Sequence, residues 1–87
     1  MNLQKTALLL RAVANIKRLE ILFYLRHSEL SVGEREKKLG LSQSALSQHL
    51  AVLRRAEIVQ TRRHKQQIFY RLENKKIKKL LTFLNKD

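Results

Sequence analysis

Apolar residues recur at helical spacing over residues 3–13, where they form two faces instead of one. Leu3 and Leu10 lie on one face, and Leu8 lies with its apolar neighbours on the other. A helix that is apolar on two sides must be covered on two sides. In so short a chain we expect a second subunit to supply one of these covers, so the pattern predicts a dimerisation helix over about residues 3–14.

Capping residues mark two short helices in the middle of the chain. Ser31 is followed three residues later by Glu34, which is the spacing of a capping box at a helix start. Gly40 is typical of the left-handed residue that ends a helix, and Ser42 is a preferred N-cap for the next one. Two helices joined by so tight a link predict a helix-turn-helix over about residues 32–56.

The hydrophobic period changes after Glu57. Residues 58–63 and 67–72 are rich in β-branched and aromatic side chains, and a short polar link separates them. This pattern predicts a β-hairpin, or wing, over about residues 58–72. Because the link contains neither Gly nor Asn, we expect Lys65 to adopt a backbone conformation that ordinary side chains disfavour.

Asparagine precedes two more helical patterns, with Asn15 before the second helix and Asn74 before the last one, over about residues 74–85. The first and last helices are predicted to form a dimer interface through Leu3, Leu10, Ile77, Leu80, Leu81 and Leu84. The order α-α-α-α-β-β-α predicts a mainly α fold with a small β-hairpin, a homodimeric winged helix-turn-helix, in a single domain over residues 1–87.

Composition narrows the range of partners. The 87 residues contain 19 Lys and Arg but 7 Asp and Glu, a net charge of +12, which indicates a polyanion such as nucleic acid or an anionic membrane surface. A chain of this size buries only about 60% of its unfolded surface, so a dimer interface would help its core. The chain has no cysteine, no long apolar run and no visible signal peptide. We therefore expect a cytoplasmic protein, in the bacterial cytosol or nucleoid, with no membrane partner.

One segment of this basic chain carries no formal charge. It spans residues 39–53 and holds only Ser, Gln, Gly, one His and apolar residues. On an ideal helix its polar side chains fall on one arc of about 140°, opposite the leucines. Base edges in the major groove present neutral donors, acceptors and the thymine methyl group, which hydroxyls and amides can read. The predicted base-reading residues are Gln43, Ser44, Ser47 and Gln48.

Cations follow this uncharged segment, at the end of the same helix and on the predicted wing. Such residues can hold phosphates, which fix position without carrying sequence information. The predicted backbone contacts are Arg54, Arg55, Arg62, Arg63 and Lys65, with Gln66 adding a polar contact at the wing. The alternative interpretation is a solvated polar face, although exposed helix faces favour Glu, Lys and Arg. His49 lies on the apolar side of the same helix and is interpreted as a structural histidine.

The sequence also resembles the ArsR/SmtB family of winged-helix repressors. Four segments match its pattern in order: "AVANIKRLEILFYL", "ELSVGE", "LGLSQSALSQHLAVLRRAEIV" and "IFYRL". The resemblance implies a homodimer built from the first and last helices, a recognition helix at 42–55 and a DNA-binding wing at 62–67. It also implies a repressor that leaves its promoter when a metal or another signal binds.

The residues depart from the family pattern where its members sense their signals. The family's thiolate motif falls on Ser31 and Gly33, and its last-helix metal site falls near Asn74 and Lys76. Some similar members switch through a cysteine pair, and this chain has no cysteine. We therefore predict no metal site and no cofactor. A small-molecule or protein effector stays open.

The predicted function is that of a sequence-specific, double-stranded DNA-binding transcription regulator, a repressor that binds an imperfect palindrome as a homodimer. Two alternatives stay open: a sequence-blind architectural nucleic-acid binder, and a protein-interaction module. An enzyme is not expected, because the carboxylates are scattered and no acid orients a base near the serines.

Overall fold

The computed structural model describes residues 1–32 and 39–85. Its elements are α1 (Leu3–Val13), α2 (Ile16–Leu25), β1 (Leu30–Ser31), α3 (Gln43–Arg55), β2 (Val59–His64), β3 (Gln67–Leu72) and α4 (Lys75–Leu84). The predicted mainly α fold with a β-hairpin is confirmed. The body of the helix predicted between Ser31 and Gly40 falls outside the described residues. Among those described, no helix is both long and apolar enough to cross a bilayer.

Each described helix begins at a side chain that accepts a hydrogen bond from the backbone N–H three residues later. Asn15 Oδ1, Ser42 Oγ and Asn74 Oδ1 accept at 3.0, 3.1 and 3.1 Å, which confirms the three predicted caps. Asn2 caps α1 in the same way at 3.1 Å and was not predicted. These bonds fix the start of α3, the helix that carries the uncharged segment.

The hairpin is part of a three-stranded antiparallel sheet in the order β1-β3-β2. His64 pairs with Gln67, so the turn has two residues, and Lys65 has φ +58° as expected from a turn without glycine. The third strand corrects the expectation of two strands. Ser31 pairs with Phe69 and is buried. The capping box predicted for Ser31 and Glu34 depends on residues 33–38, which lie outside the described residues. A two-residue strand is too short to show an alternating pattern.

One hydrophobic cluster unites these elements. α3 packs against α1, α2 and β2, and α2 packs against β3. The buried residues of the described chain are Ala12, Val13, Ile21, Leu22, Leu25, Leu30, Leu46, Leu50, Leu53, Ile58, Val59, Leu72, Ile77 and Leu81. Three of them line the inner face of α3, so that helix cannot rotate without exposing leucine to water.

This core corrects part of the predicted dimer interface. Ile77 and Leu81 are 2% and 0% exposed within a single protomer. Since α4 lies against its own chain through these two side chains, they are core residues and offer no surface to a second copy. The remaining four predicted residues differ: Leu3, Leu10 and Leu84 are exposed, and Leu80 is half-buried.

The end of α3 has the geometry of a Schellman motif. The Glu57 N–H donates to Arg54 O and the Ile58 N–H donates to Leu53 O, both at 3.0 Å. Ile58 and Leu53 are fully buried, as the hydrophobic contact of this motif requires. Glu57 sits in the left-handed region at φ +60°, where a side chain costs about 1–2 kcal/mol and glycine is usual.

Glu57→Gly should therefore stabilise the protein by about 1 kcal/mol, because it removes the Cβ strain at this position. Urea unfolding followed by circular dichroism measures the change. Glu57→Ala is the matched control, since it removes the same carboxylate but keeps the Cβ. Equal stability of the two variants would show that the backbone at residue 57 stores no strain.

His49 connects α3 to the junction of α1 and α2. Its Nδ1 lies 3.2 Å from Nη1 of Arg18, whose Nε donates to Ala12 O at 2.6 Å. Burial and the neighbouring Arg18 charge hold the pKa of His49 below its ordinary value of 6.5. The contact supports the structural interpretation of this histidine, because protonation would place two cations side by side.

The sign of the pH dependence follows from this lowered pKa. As pH falls through about 6.5, the unfolded chain takes up a proton on His49 that the folded chain resists. Stability should be complete well above that pH and fall as the pH drops through it. Thermal melts of the protein and of His49→Gln test this, since the variant should lose the dependence. His27→Gln is the control, because His27 is exposed, and an equal loss there would contradict the assignment.

Candidate nucleic-acid interface

The uncharged arc of α3 faces solvent. Its four predicted base-reading residues are all exposed, while Leu46, Leu50 and Leu53 on the other side are fully buried. Ala51 lies between the polar residues and is half-buried, so no long side chain keeps a ligand away from the helix. We call these exposed residues the reading surface: Gln43, Ser44, Ser47 and Gln48.

The wing lies beside the reading surface. Gln43 and Ser47 of α3 share a cavity of about 320 Å³ with Gln66, Ile68 and other residues near the hairpin tip. The complete lining is Ser31, Val32, Gln43, Ser47, Gln66, Gln67, Ile68 and Tyr70. Residues far apart in sequence are thereby brought to one surface, which an extended ligand could contact at two points.

Alternation along the hairpin separates the two wing arginines. Arg62 pairs with Phe69, and Arg63 pairs with Ile68. Neighbouring residues in a strand point to opposite faces, and cross-strand partners share a face. Because Ile68 lines the cavity shared with α3, Arg63 lies on that side of the hairpin and Arg62 on the opposite side.

Arg62 is engaged within the protomer, which sequence reasoning did not predict. Its Nε lies 3.1 and 2.9 Å from the two Glu29 carboxylate oxygens, and its Nη2 lies 2.6 Å from Oε1. The guanidinium also stacks over the Phe69 ring at 4.6 Å. A bidentate pair of this kind fixes the guanidinium plane. Within the protomer this side chain therefore connects the hairpin to the segment before β1, and its predicted phosphate contact stays a prediction.

Glu29 is the partner that makes this possible. Its hydrogen bonds from Arg62, followed by the charges of Arg62 and Arg71, hold the pKa of the carboxyl below its ordinary value. The Glu29 carboxylate therefore stays ionised to a lower pH than an ordinary glutamate does. No sequence signal marked Glu29 because it precedes the short strand β1, whose pairing becomes evident only in the folded sheet.

The remaining predicted cations are exposed. Arg55 Nε donates to Ala51 O at 3.3 Å, so this side chain folds back along its own helix. Arg54 lines a cavity that also contains Glu57 and Glu73. Arg63 and Lys65 form no ion pair within the described residues, where only Lys17, Arg62 and Arg71 have carboxylate partners. Most of the positive charge is consequently available to an external polyanion.

One of the positions that match the family's metal sites has a structural role. The Asn74 amide caps α4 and donates to Glu57 O at 3.3 Å. Lys76 is exposed, and Gly33 lies outside the described residues. Within the described ranges, no group of three His, Cys, Asp or Glu side chains is placed to hold a metal ion.

Comparison with known proteins identifies a family and several relatives that are similar to this chain. The profile of the family described as "Bacterial regulatory protein, arsR family" matches residues 15–61. The transcriptional activator HlyU of Vibrio cholerae is 49% identical over 98% of this chain and 79% of its own length. The biofilm growth-associated repressor of Agrobacterium fabrum is 48% identical over 92% of this chain and 68% of its own length.

Solved structures agree with the sequence relationship. HlyU from Vibrio cholerae superposes with a TM-score of 0.85 at 51% identity, covering 93% of this chain and 88% of that one. A homodimeric winged helix-turn-helix DNA-binding domain from Mycobacterium bovis superposes with a TM-score of 0.86 at 27% identity, covering 94% and 76%. The fold, the family profile and the relatives lead to one conclusion: this chain belongs to the arsR family of bacterial regulatory proteins, and it is a winged helix-turn-helix transcription regulator and not an enzyme.

Proposed function

We propose that the protein is a homodimer that binds an imperfect palindrome in double-stranded DNA and controls transcription from the promoter that contains it. The observation that carries this proposal is the exposed, uncharged reading surface on a helix whose other side is locked in the core. Such a surface suits recognition of base edges, because a row of lysines would bind any duplex equally well.

Dimer formation is supported by apolar residues that the protomer leaves in water. Leu3 and Leu10 of α1 are 73% and 52% exposed, and Leu84 of α4 is 48% exposed. Phe83 is 68% exposed and joins them, although the sequence reading did not select it. Exposed apolar groups on two neighbouring elements suit an association surface, and the Mycobacterium bovis relative is a homodimer. The proposed interface is formed by Leu3, Leu10, Leu80, Phe83 and Leu84.

Each protomer would place α3 in a major groove. The reading surface contacts base edges there, and Arg54 and Arg55 at the end of α3 hold the flanking backbone. On the wing, Arg63 and Lys65 contact phosphates or the adjacent minor groove, and Gln66 adds a polar contact. Arg62 keeps the hairpin in position through Glu29 instead of contacting DNA itself.

Two other functions explain the surface less well. A sequence-blind architectural binder would gain from lysine or arginine on the exposed face of α3, which has none before its last turn. A protein-interaction module gives no reason for a net charge of +12. Both the activator and the repressor among the relatives would have to occupy promoter DNA. We propose that the protein represses transcription in the bacterial cytoplasm. Expression from a promoter fusion, measured with and without the protein, shows whether transcription falls or rises.

Selection of bound sites from a random DNA pool tests the proposal directly. The expected product is an inverted repeat whose half-site centres lie about 34–36 Å apart, the spacing at which a two-fold dimer meets successive major grooves. Gln48→Ala should lose discrimination at particular base pairs by about 1–3 kcal/mol. If the selection enriches no sequence, or if the enriched sites have no two-fold symmetry, the protein is not a sequence-specific homodimer.

The two wing arginines should differ in salt dependence. Arg63→Gln should reduce the slope of log K against log salt by about 1.8 in the homodimer, because each of the two protomers loses one phosphate contact, worth about 0.9, on every sequence. Arg62→Gln should leave that slope unchanged, since its guanidinium is held by Glu29. Titrations of one duplex at several salt concentrations measure both. If Arg62→Gln lowers the slope as much as Arg63→Gln, Arg62 contacts phosphate and the positioning role is wrong.

A further inference from the structure

A second groove lies on the flank of α3, beside the reading surface but facing α1 and the start of α2. Its volume is about 360 Å³. We call it the flank groove, and it is lined by Leu8, Arg11, Ala12, Arg18, Val52, Arg55 and Ala56. Four of these side chains are apolar, and Leu8 is 53% exposed. The groove thus offers an apolar wall that the protomer itself does not fill.

The polar part of the flank groove is entirely cationic. Arg11, Arg18 and Arg55 contribute guanidinium groups, and no carboxylate is among its lining residues. Glu57 follows Ala56 in sequence but lines two neighbouring cavities instead. An anion in the groove would therefore meet positive charge without a competing acid from the lining.

Hydrogen bonds to backbone carbonyl groups already hold two of these arginines in place. Arg18 Nε donates to Ala12 O at 2.6 Å, and its Nη2 lies 3.5 Å from Arg11 O. Arg55 Nε donates to Ala51 O at 3.3 Å, which leaves the terminal nitrogens of Arg55 without a bond in the described chain. Guanidinium groups fixed in this way lose less conformational freedom when they receive an anion.

We propose that the flank groove binds a small amphipathic anion, with its carboxylate or similar head at the arginines and its aliphatic or aromatic body against Leu8 and Val52. Its volume lies near the lower end of the range of about 300–1,000 Å³ for ligand pockets, so the ligand is small. An anion without an apolar body leaves the apolar wall in water. DNA phosphate has no apolar part to cover Leu8 and Val52, which makes it a poorer occupant.

Occupancy of the flank groove would oppose DNA binding, and this part of the inference rests on the proposed function. On an ideal helix Arg55 lies about 60° from Val52 of the groove and about 20° from Gln48 of the reading surface. The same guanidinium can therefore serve either the ligand or a DNA phosphate. A bound anion withdraws Arg55 from the DNA and adds a negative charge next to it.

Calorimetric titration with octanoate, without DNA, tests the site. 1-Octanol is the matched uncharged probe, and acetate is the matched anion without an apolar chain. Octanoate should bind at least about tenfold more tightly than either, because only octanoate satisfies both the arginines and the apolar wall. Equal binding of octanoate and octanol, or no binding of octanoate at millimolar concentration, overturns the proposal.

Variants locate the binding within the protein. Arg55→Gln and Leu8→Ser should each weaken octanoate binding by about fivefold to tenfold. Arg54→Gln and Ile16→Ser are the controls, since they change an adjacent arginine and another exposed apolar residue outside the groove. Size-exclusion chromatography of Leu8→Ser follows the oligomeric state. If all four variants bind octanoate with equal affinity, the anion does not occupy this groove. The same conclusion follows if Leu8→Ser dissociates the oligomer.

A separate titration with the selected DNA site tests the competition. Octanoate should weaken DNA binding by the unmodified protein and have a much smaller effect on Arg55→Gln. If octanoate binds but DNA affinity does not change, the competition through Arg55 is wrong while the ligand site stands. If the protein binds no specific DNA, the proposed function fails, and the titration without DNA still decides the ligand site.

Discussion

The burial of Leu46, Leu50 and Leu53 is the constraint on which the interface depends. Each is fully inaccessible, and burial of one leucine contributes about 1.5–3 kcal/mol. Rotating α3 so that the reading surface faces the core would expose this stripe and bury the polar side chains without hydrogen-bond partners. Both costs oppose the rotation, so three apolar side chains determine which polar ones face outward. The specificity that we propose for this helix therefore depends on the packing of its buried side.

The wing depends on a different interaction, because few apolar side chains support its tip. Beyond Val59 every residue of β2 is exposed, and Ile68 near the turn is 44% exposed. The Glu29 and Arg62 pair connects this weakly packed hairpin to the chain before β1. An exposed ion pair contributes little to global stability, but a bidentate pair stacked on Phe69 restricts direction. In the proposed DNA complex, the pair would hold Arg63 and Lys65 in a defined position before they meet the duplex.

Local chemistry explains how far the sequence predicted this structure. The caps at Asn15, Ser42 and Asn74, the left-handed Gly40, the amphipathic α3 and the strained Lys65 all depend on residues a few positions apart, and each was confirmed. What was missed depends on distant pairing. β1 is too short for a periodic signal, and Glu29 meets Arg62 across 33 positions of sequence. Ile77 and Leu81 form an apolar stripe whose partner, core or second subunit, cannot be read from the stripe itself.

The circumference of α3 divides into three arcs with different chemistry. The leucines hold the core, the amides and hydroxyls form the reading surface, and Val52 with Ala56 borders the flank groove. Arg55 lies at the boundary between the last two arcs. Since one side chain cannot satisfy a ligand anion and a DNA phosphate together, the two equilibria share a participant and must be linked, with the same factor in each direction. In the proposed mechanism, a regulator without cysteine can thus respond to a signal because the ligand anion and the DNA phosphate compete for Arg55, with no change of fold.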